Sequence, residues 1–184
     1  METLKRYQID LKNLSPAKTY KFDYVLDNDY FKLIDGSEVK QGNVNVLLHV
    51  RRTSSAFELD FRSEGVVAVT CDRCLEDLEI PVEATNRLVV TFGKMYSEIS
   101  DEQIIVSEEE GSINVAWFMY EFVALAIPMK HVHKFGECNE TMASKLKELC
   151  VDEQDQAEGD LETGNSRRTT DPRWDALRNL KEDN

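Results

Sequence analysis

The chain has 184 residues, 41% of them hydrophobic and 31% charged, with a formal net charge of -13 at pH 7. That length allows one domain with a real core, or one domain and a tail, and the charged excess must lie on surfaces because unpaired buried charges are prohibitive. A field of this sign repels phosphate backbones, which disfavours broad non-specific nucleic-acid binding and favours a basic partner protein; solubility alone is the competing reading.

The N-terminal stretch alternates, carries charge and has no apolar h-region, so no secretory signal is expected. Residues 3–11 and 17–26 read as strands, with Tyr7, Ile9 and Leu11, then Tyr20, Phe22 and Tyr24, alternating with polar neighbours around a turn at Ser15-Pro16. Asp27 to Asp35 fits one helical turn, with Asp29 as N-cap and Gly36 as stop. In the centre, Val44, Val46, Leu48 and Val50 share one strand face, and Asn45, Leu47 and His49 the other. Phe57, Leu59 and Phe61 repeat the pattern. Gly65 reads as a bulge within a strand that continues through Thr70. A turn at 71–76 precedes alternation at Leu78, Ile80 and Val82, and Leu88 to Phe92 extends to Gly93.

Residues 97–111 hold six acids and no basic residue, which reads as a solvated loop with a short edge strand at Ile104–Val106. Val115, Phe118, Met119, Phe122, Leu125 and Ala126 then fall at helical spacing between Asn114, an N-cap, and Pro128, a stop. Trp117, Val123 and Ile127 make that helix apolar almost all round, so it is expected to be buried against the sheet. At about 13 residues, with Glu121 inside, it falls short of the roughly 20 that a membrane span needs. A soluble, cytoplasmic protein with reduced cysteines is therefore expected. Thr141 to Cys150 suggests another short helix.

The expected fold class is α+β: a curved antiparallel β-meander or partly closed barrel covered by a buried helix, with short C-terminal helices. Three regions follow: a β-rich domain over 1–150, an acidic linker over 151–169 that is disordered by composition, and a C-terminal amphipathic helix over 170–184. In the last, Thr170 or Asp171 caps a start with Pro172 just inside it, and Trp174, Leu177 and Leu180 share one side, a stripe suited to docking.

The strongest local signal is Cys71-Asp72-Arg73-Cys74. Two thiolates at this spacing on a tight turn can hold one Zn²⁺, while the same spacing serves redox exchange when the first Cys heads a helix in a βαβ unit. No amphipathic helix fits before Pro81, so a hairpin-tip knuckle is the better placement. Closed structural zinc needs four ligands, and there is no second CxxC. His131, His133, Cys138 and Cys150 are the remaining candidates; Cys71, Cys74, Cys138 and His133 form the expected set, with structural zinc or no cofactor as the two outcomes. Otherwise the pair only shapes a turn. Arg73 could pair with a carboxylate or phosphate, or be an ordinary solvated Arg. No nucleophile elbow, P-loop or dinucleotide fingerprint occurs, and the acids are scattered.

Taken together, these residues resemble the YceD family, described as large ribosomal RNA subunit accumulation proteins. The resemblance lies in Gly65-Val66-Val67 leading into Cys71-Asp72-Arg73-Cys74-Leu75, in an acidic segment before a helix ending Leu125-Ala126-Ile127-Pro128-Met129-Lys130, in Cys138, and in Asp171-Pro172-Arg173-Trp174 with Leu177 and Leu180. It spans roughly residues 40–184. Many relatives carry a cysteine-rich, zinc-binding-looking stretch after the helix; here that stretch keeps Cys138 and Cys150, with His131 and His133 nearby. The resemblance implies a role in ribosome assembly or rRNA metabolism and no known catalysis.

Three functions are thus in play. The first is a non-enzymatic factor in large-subunit biogenesis that binds a basic ribosomal protein or an assembly intermediate, with Arg73 and the Asp171, Pro172, Arg173, Trp174, Leu177 and Leu180 helix at the partner. The second is an RNA-binding zinc knuckle using Arg51, Arg52, Arg62 and Arg73. The third is a CxxC thiol-redox or zinc-dependent enzyme.

Overall fold

The period-2 alternation of the central chain becomes one long, folded ribbon. The computed structural model describes residues 3–16, 18–134 and 136–149. The chain divides into two units, Met1–Asn139 and Glu140–Asn184. In the first, a 3₁₀ turn (Thr3–Tyr7) leads to β1 (Gln8–Asp10), β2 (Thr19–Leu26), α1 (Asn28–Ile34), β3 (Gln41–Arg52), β4 (Phe57–Thr70), β5 (Asp77–Gly93), β6 (Ser97–Ser100), β7 (Gln103–Ser107), β8 (Ser112–Asn114) and α2 (Ala116–Leu125). In the second, α3 (Glu140–Leu149) matches the expected short helix. The expected 151–169 linker and 170–184 helix lie outside the described residues. No described helix is long and apolar enough to cross a membrane.

β2 to β5 form an antiparallel meander in unbroken register, and the whole sheet runs β2-β3-β4-β5-β7-β6. β2 and β6 are its edges, so among the described residues the sheet does not close into a barrel. One face buries Val44, Val46, Leu48 and Val50 of β3, Phe57, Leu59, Phe61, Val67 and Val69 of β4, and Ile80, Val82, Leu88 and Val90 of β5. The alternate residues, such as Asp60, Arg62, Glu64 and Glu83, stay exposed on the other. α1 and α2 belong to the same core: Phe61 meets Phe122 edge-on at 5.1 Å between ring centroids, and the buried Tyr30 hydroxyl donates to the Ala116 carbonyl at 2.6 Å.

Several local expectations change. Residues 3–11 are not one strand; a 3₁₀ turn precedes three strand residues that pair with β8 in a separate two-stranded sheet. The cap of α1 is Asp27, whose carboxylate accepts the Tyr30 N–H at 2.9 Å; Asp29 lies inside the helix, and Asp35 ends it at φ 53°. Gly65 is not a bulge. Its register is continuous, and a Cβ there would lie 2.2 Å from the Asn43 carbonyl oxygen, so glycine serves a close backbone approach. β5 runs straight through Pro81, because β7 joins it only from Val89 onward and the Pro81 stretch is a sheet edge.

The acidic 97–111 segment holds two strands rather than a loop. β7 lies parallel to β5, between it and β6, so it is internal and the sheet is mixed. Ile104 and Val106 explain this: both are buried, and two alternating apolar residues suffice to seat a strand whose neighbours are acidic. The Asn114 side chain accepts the Ala116 N–H at 2.9 Å, yet the helix boundary residue is Val115, which has no side-chain cap.

Candidate metal centre at the hairpin tip

β4 and β5 stay paired to Thr70↔Asp77, leaving the six residues Cys71–Glu76 to reverse the chain. Cys71 N–H donates to Glu76 O at 2.8 Å and Leu75 N–H to Cys71 O at 3.0 Å, and Leu75 takes a left-handed conformation at φ 63°. This tight turn aims both thiols inward, and Cys71 and Cys74 are buried.

The segment after Pro128 folds back over the tip. Asp72 N–H donates to His131 O at 2.8 Å, while the Asp72 carboxylate accepts the His131 N–H at 2.8 Å and faces His131 Nδ1 at 3.1 Å. This double clamp sets the entry to the next residues. His133 Nδ1 comes within 3.3 Å of Cys74 Sγ, and its Nε2 lies 3.2 Å from the Asp77 carbonyl. Donation from Nε2–H to that carbonyl would fix the tautomer and leave the Nδ1 lone pair facing the thiols, the usual outer support of a metal-bound histidine. Gly136, at φ 88°, lets the chain reverse, and Asn139 donates to Glu76 at 2.7 Å on the far side.

The result brings together Cys71, Cys74, His133 and Cys138, with all four ligand atoms within 4.8 Å of one another. These are the four residues of the expected set. His131 is engaged with Asp72 instead, and Cys150 lies outside the described residues. A zinc tetrahedron with Zn–S near 2.3 Å and Zn–N near 2.0 Å has edges of about 3.5–3.8 Å, and the donor set is that of a Cys₃His site into which these atoms could draw together.

Its electrostatics are those of crowded donors. Burial pushes the Cys71 thiol up, but the N–H groups of Cys74, Arg73 and His133, with the Cys74 thiol, outweigh it and bring Cys71 down to about 6. Hydrogen bonding to Cys71, against some desolvation, raises His133. Burial, then the thiols of Cys74 and Cys71, push Cys138 up to about 11. One thiolate therefore forms readily while the next is resisted, a conflict that a central divalent cation would relieve.

Cys71 follows an antiparallel strand and heads no helix, so the placement that CxxC redox exchange requires is absent at this pair. The four arginines do not form a patch. Arg51 pairs with Glu58, Arg52 donates to the Leu14 carbonyl at 3.0 Å, and Arg62 faces Glu83 at 3.8 Å. Arg73 is exposed on the tip, about 40 Å along the strands from Arg51 at ~3.3 Å per residue. The remaining partner-binding candidates, Asp171, Pro172, Arg173, Trp174, Leu177 and Leu180, lie outside the described residues. Sequence reasoning missed the supports: Asp72, Glu76, the Asp77 carbonyl and Asn139. Asp72, set between the two cysteines, was the available signal.

No curated protein and no solved structure matches the chain. A family model does, over residues 59–181, from near the start of β4 past the whole cluster. Its description is "Large ribosomal RNA subunit accumulation protein YceD", and with a match of this extent the chain belongs to the YceD family.

Proposed function

We propose that the protein is a non-enzymatic, cytoplasmic factor in large-subunit biogenesis, binding a basic ribosomal protein or an assembly intermediate, and that zinc held by Cys71, Cys74, His133 and Cys138 fixes its hairpin tip. The family match over 59–181 carries this reading, since the family is described by the accumulation of large-subunit RNA. The net charge of -13 supports a positively charged partner, because opposite fields speed encounter. Carboxylates already beside Arg51 and Arg62, and the distance of Arg73 from Arg51, favour a protein partner over direct RNA contact. Four converging donors support a closed structural site over a catalytic one, which would keep a position open.

The test is affinity purification of the intact chain from cells, with bound proteins and RNA both identified, beside rRNA quantification in a deletion strain. Recovery of large-subunit proteins or precursor particles, with large-subunit rRNA reduced in the deletion, is expected. Recovery of neither, with unchanged rRNA, sinks the reading. RNA retained without protein, and lost steeply with salt, would move it to direct RNA binding.

A further inference from the structure

α2 is apolar on both sides. Its inner residues Ala116, Met119, Phe122 and Val123 are buried. On the outer stripe, Trp117 and Leu125 flank Glu121 at helical spacing and remain 49% and 79% exposed. A helix needed only to cover a sheet would carry polar residues there. Leu125 opens into a groove of about 650 Å³, walled by Ile127, Pro128 and Met129 on one side and by Leu75 of the hairpin tip on the other.

The rim is acidic. Glu38 and Asp72 line the groove, and among the described residues no lysine or arginine does. Glu121 accepts the Trp117 indole N–H at 2.6 Å. Beyond it Tyr96, half exposed, donates to Glu98 at 2.6 Å; burial, then Glu98 and the more distant Glu121 charge, push that hydroxyl up to about 12. Aromatic faces beside carboxylates suit a guanidinium or ammonium, which can stack and pair at once.

The surface is also preformed. The Tyr120 hydroxyl accepts the N–H of Glu38 at 3.0 Å and of Val39 at 3.3 Å, and the Trp117 ring rests 5.4 Å from that of Tyr120. The Asp72–His131 clamp holds the opposite wall. Little would have to be ordered on binding.

We propose that this surface, from Trp117 through Leu125 to the groove between Leu75 and Met129, docks a cationic segment of a basic protein. An apolar side chain of the partner enters the groove, and flanking lysines or arginines face Glu38, Asp72 and Glu121. The proposal rests on the function proposed above and assigns it a place on the molecule. A second copy fits poorly, because two-fold pairing of this face would set like carboxylates against each other.

The probe is a fluorescein-labelled 12-residue peptide of alternating lysine and leucine, titrated against the full chain by anisotropy. Trp117→Ser, and Leu125→Ser with Met129→Ser, should each weaken binding at least tenfold, as central anchors do, with circular dichroism unchanged. Glu38→Gln with Glu121→Gln should flatten the salt dependence. Glu64→Gln with Glu83→Gln, on the outer sheet face, should do neither. Equal loss from the Glu64 and Glu83 pair, or none from Trp117 and Leu125 with Met129, overturns the assignment. So does a wild type that sediments as a dimer and becomes monomeric on Leu125→Ser with Met129→Ser, which would hand the face to a second copy. If large-subunit proteins are recovered equally by wild type and these variants, the site is wrong and the function stands; if wild type recovers none, the function itself fails.

Discussion

The body of the β4–β5 hairpin and its tip are held by different physics. In the body, every second residue enters the core, and the requirement on Leu59, Phe61, Val82 or Leu88 is an apolar side chain of suitable volume. At the tip, the polar groups have particular partners: Asp72 with His131, Glu76 with Cys71 and Asn139, Asp77 with His133. The body supplies folding free energy from many interchangeable contacts. The tip supplies geometry from a few polar contacts that cannot be exchanged, on a turn with no hydrophobic filling of its own beyond two thiols.

The sharpest way to break this contrast is to open the body. Phe61→Ala removes a fully buried ring from its edge-on contact with Phe122. It should cost about 3–5 kcal/mol, read as a lowered urea midpoint. Zinc should make no difference to that loss, because the tip does not touch the cavity left behind. An unchanged midpoint would mean that the body is not where stability resides.

The complementary experiment loads the tip. Zinc added to metal-free protein at a hundred times its dissociation constant should stabilise the fold by about 2.7 kcal/mol. Cys74→Ser, His133→Ala or Cys138→Ser should abolish that increment while leaving the metal-free protein close to wild type, since the core strands are untouched. Thermal melts with and without zinc or a chelator separate the two effects. A metal-free Cys74→Ser variant that fails to fold would show that the thiols serve the core rather than a site.

The same contrast explains what could be read from the sequence. Alternation is a local signal, so β3, β4 and the two ends of β5 are legible, as is the covering helix from its spacing and Pro128, while residues 83–87, which join those ends into one strand, carry no such pattern. The cluster was half legible: Cys71 and Cys74 announce themselves by separation, but His133 and Cys138 join them across some sixty residues, and only the YceD resemblance and the chemistry of the donors brought them forward. What remained hidden was non-local. The insertion of β7 between β5 and β6 depends on a parallel pairing that no short pattern encodes, and acidic composition pointed to a loop there. Asp27 rather than Asp29 caps α1, because Asp27 stands outside the helix on extended backbone, where its carboxylate reaches the Tyr30 N–H. The role of Asp72 is not legible locally, because its partner is a backbone that arrives from residue 131.

A smaller effect tests whether polar geometry matters inside the core as well as at the tip. Tyr30→Phe keeps the ring and deletes the hydroxyl that donates to Ala116 O. With that carbonyl left without the donor, about 1 kcal/mol of stability should be lost, again by urea midpoint. A loss near zero would mean that this buried hydrogen bond adds no net stability to the core.

The smallest expected effect lies on the exposed face of the body. Glu58 sits between Arg51 and Arg87, and the hydrogen bond from Arg51, opposed by some desolvation and aided by the charges of both arginines, holds its carboxyl below the usual 4.5. Because the folded-state value is depressed, the stabilisation is fully present above the unfolded carboxylate's 4.5 and is lost as pH falls through the lower folded value. Glu58→Gln should therefore show a modest deficit against wild type at pH 7 that fades between pH 4.5 and the acid limit of folding, and that shrinks in high salt. Urea midpoints of both proteins at pH 7, 4.5 and 3 give the difference directly, with every other titrating group cancelling. A deficit that persists unchanged at pH 3 would mean that Glu58 acts by packing its stem against the strand, and that the exposed face, like the buried one, is held by shape rather than charge.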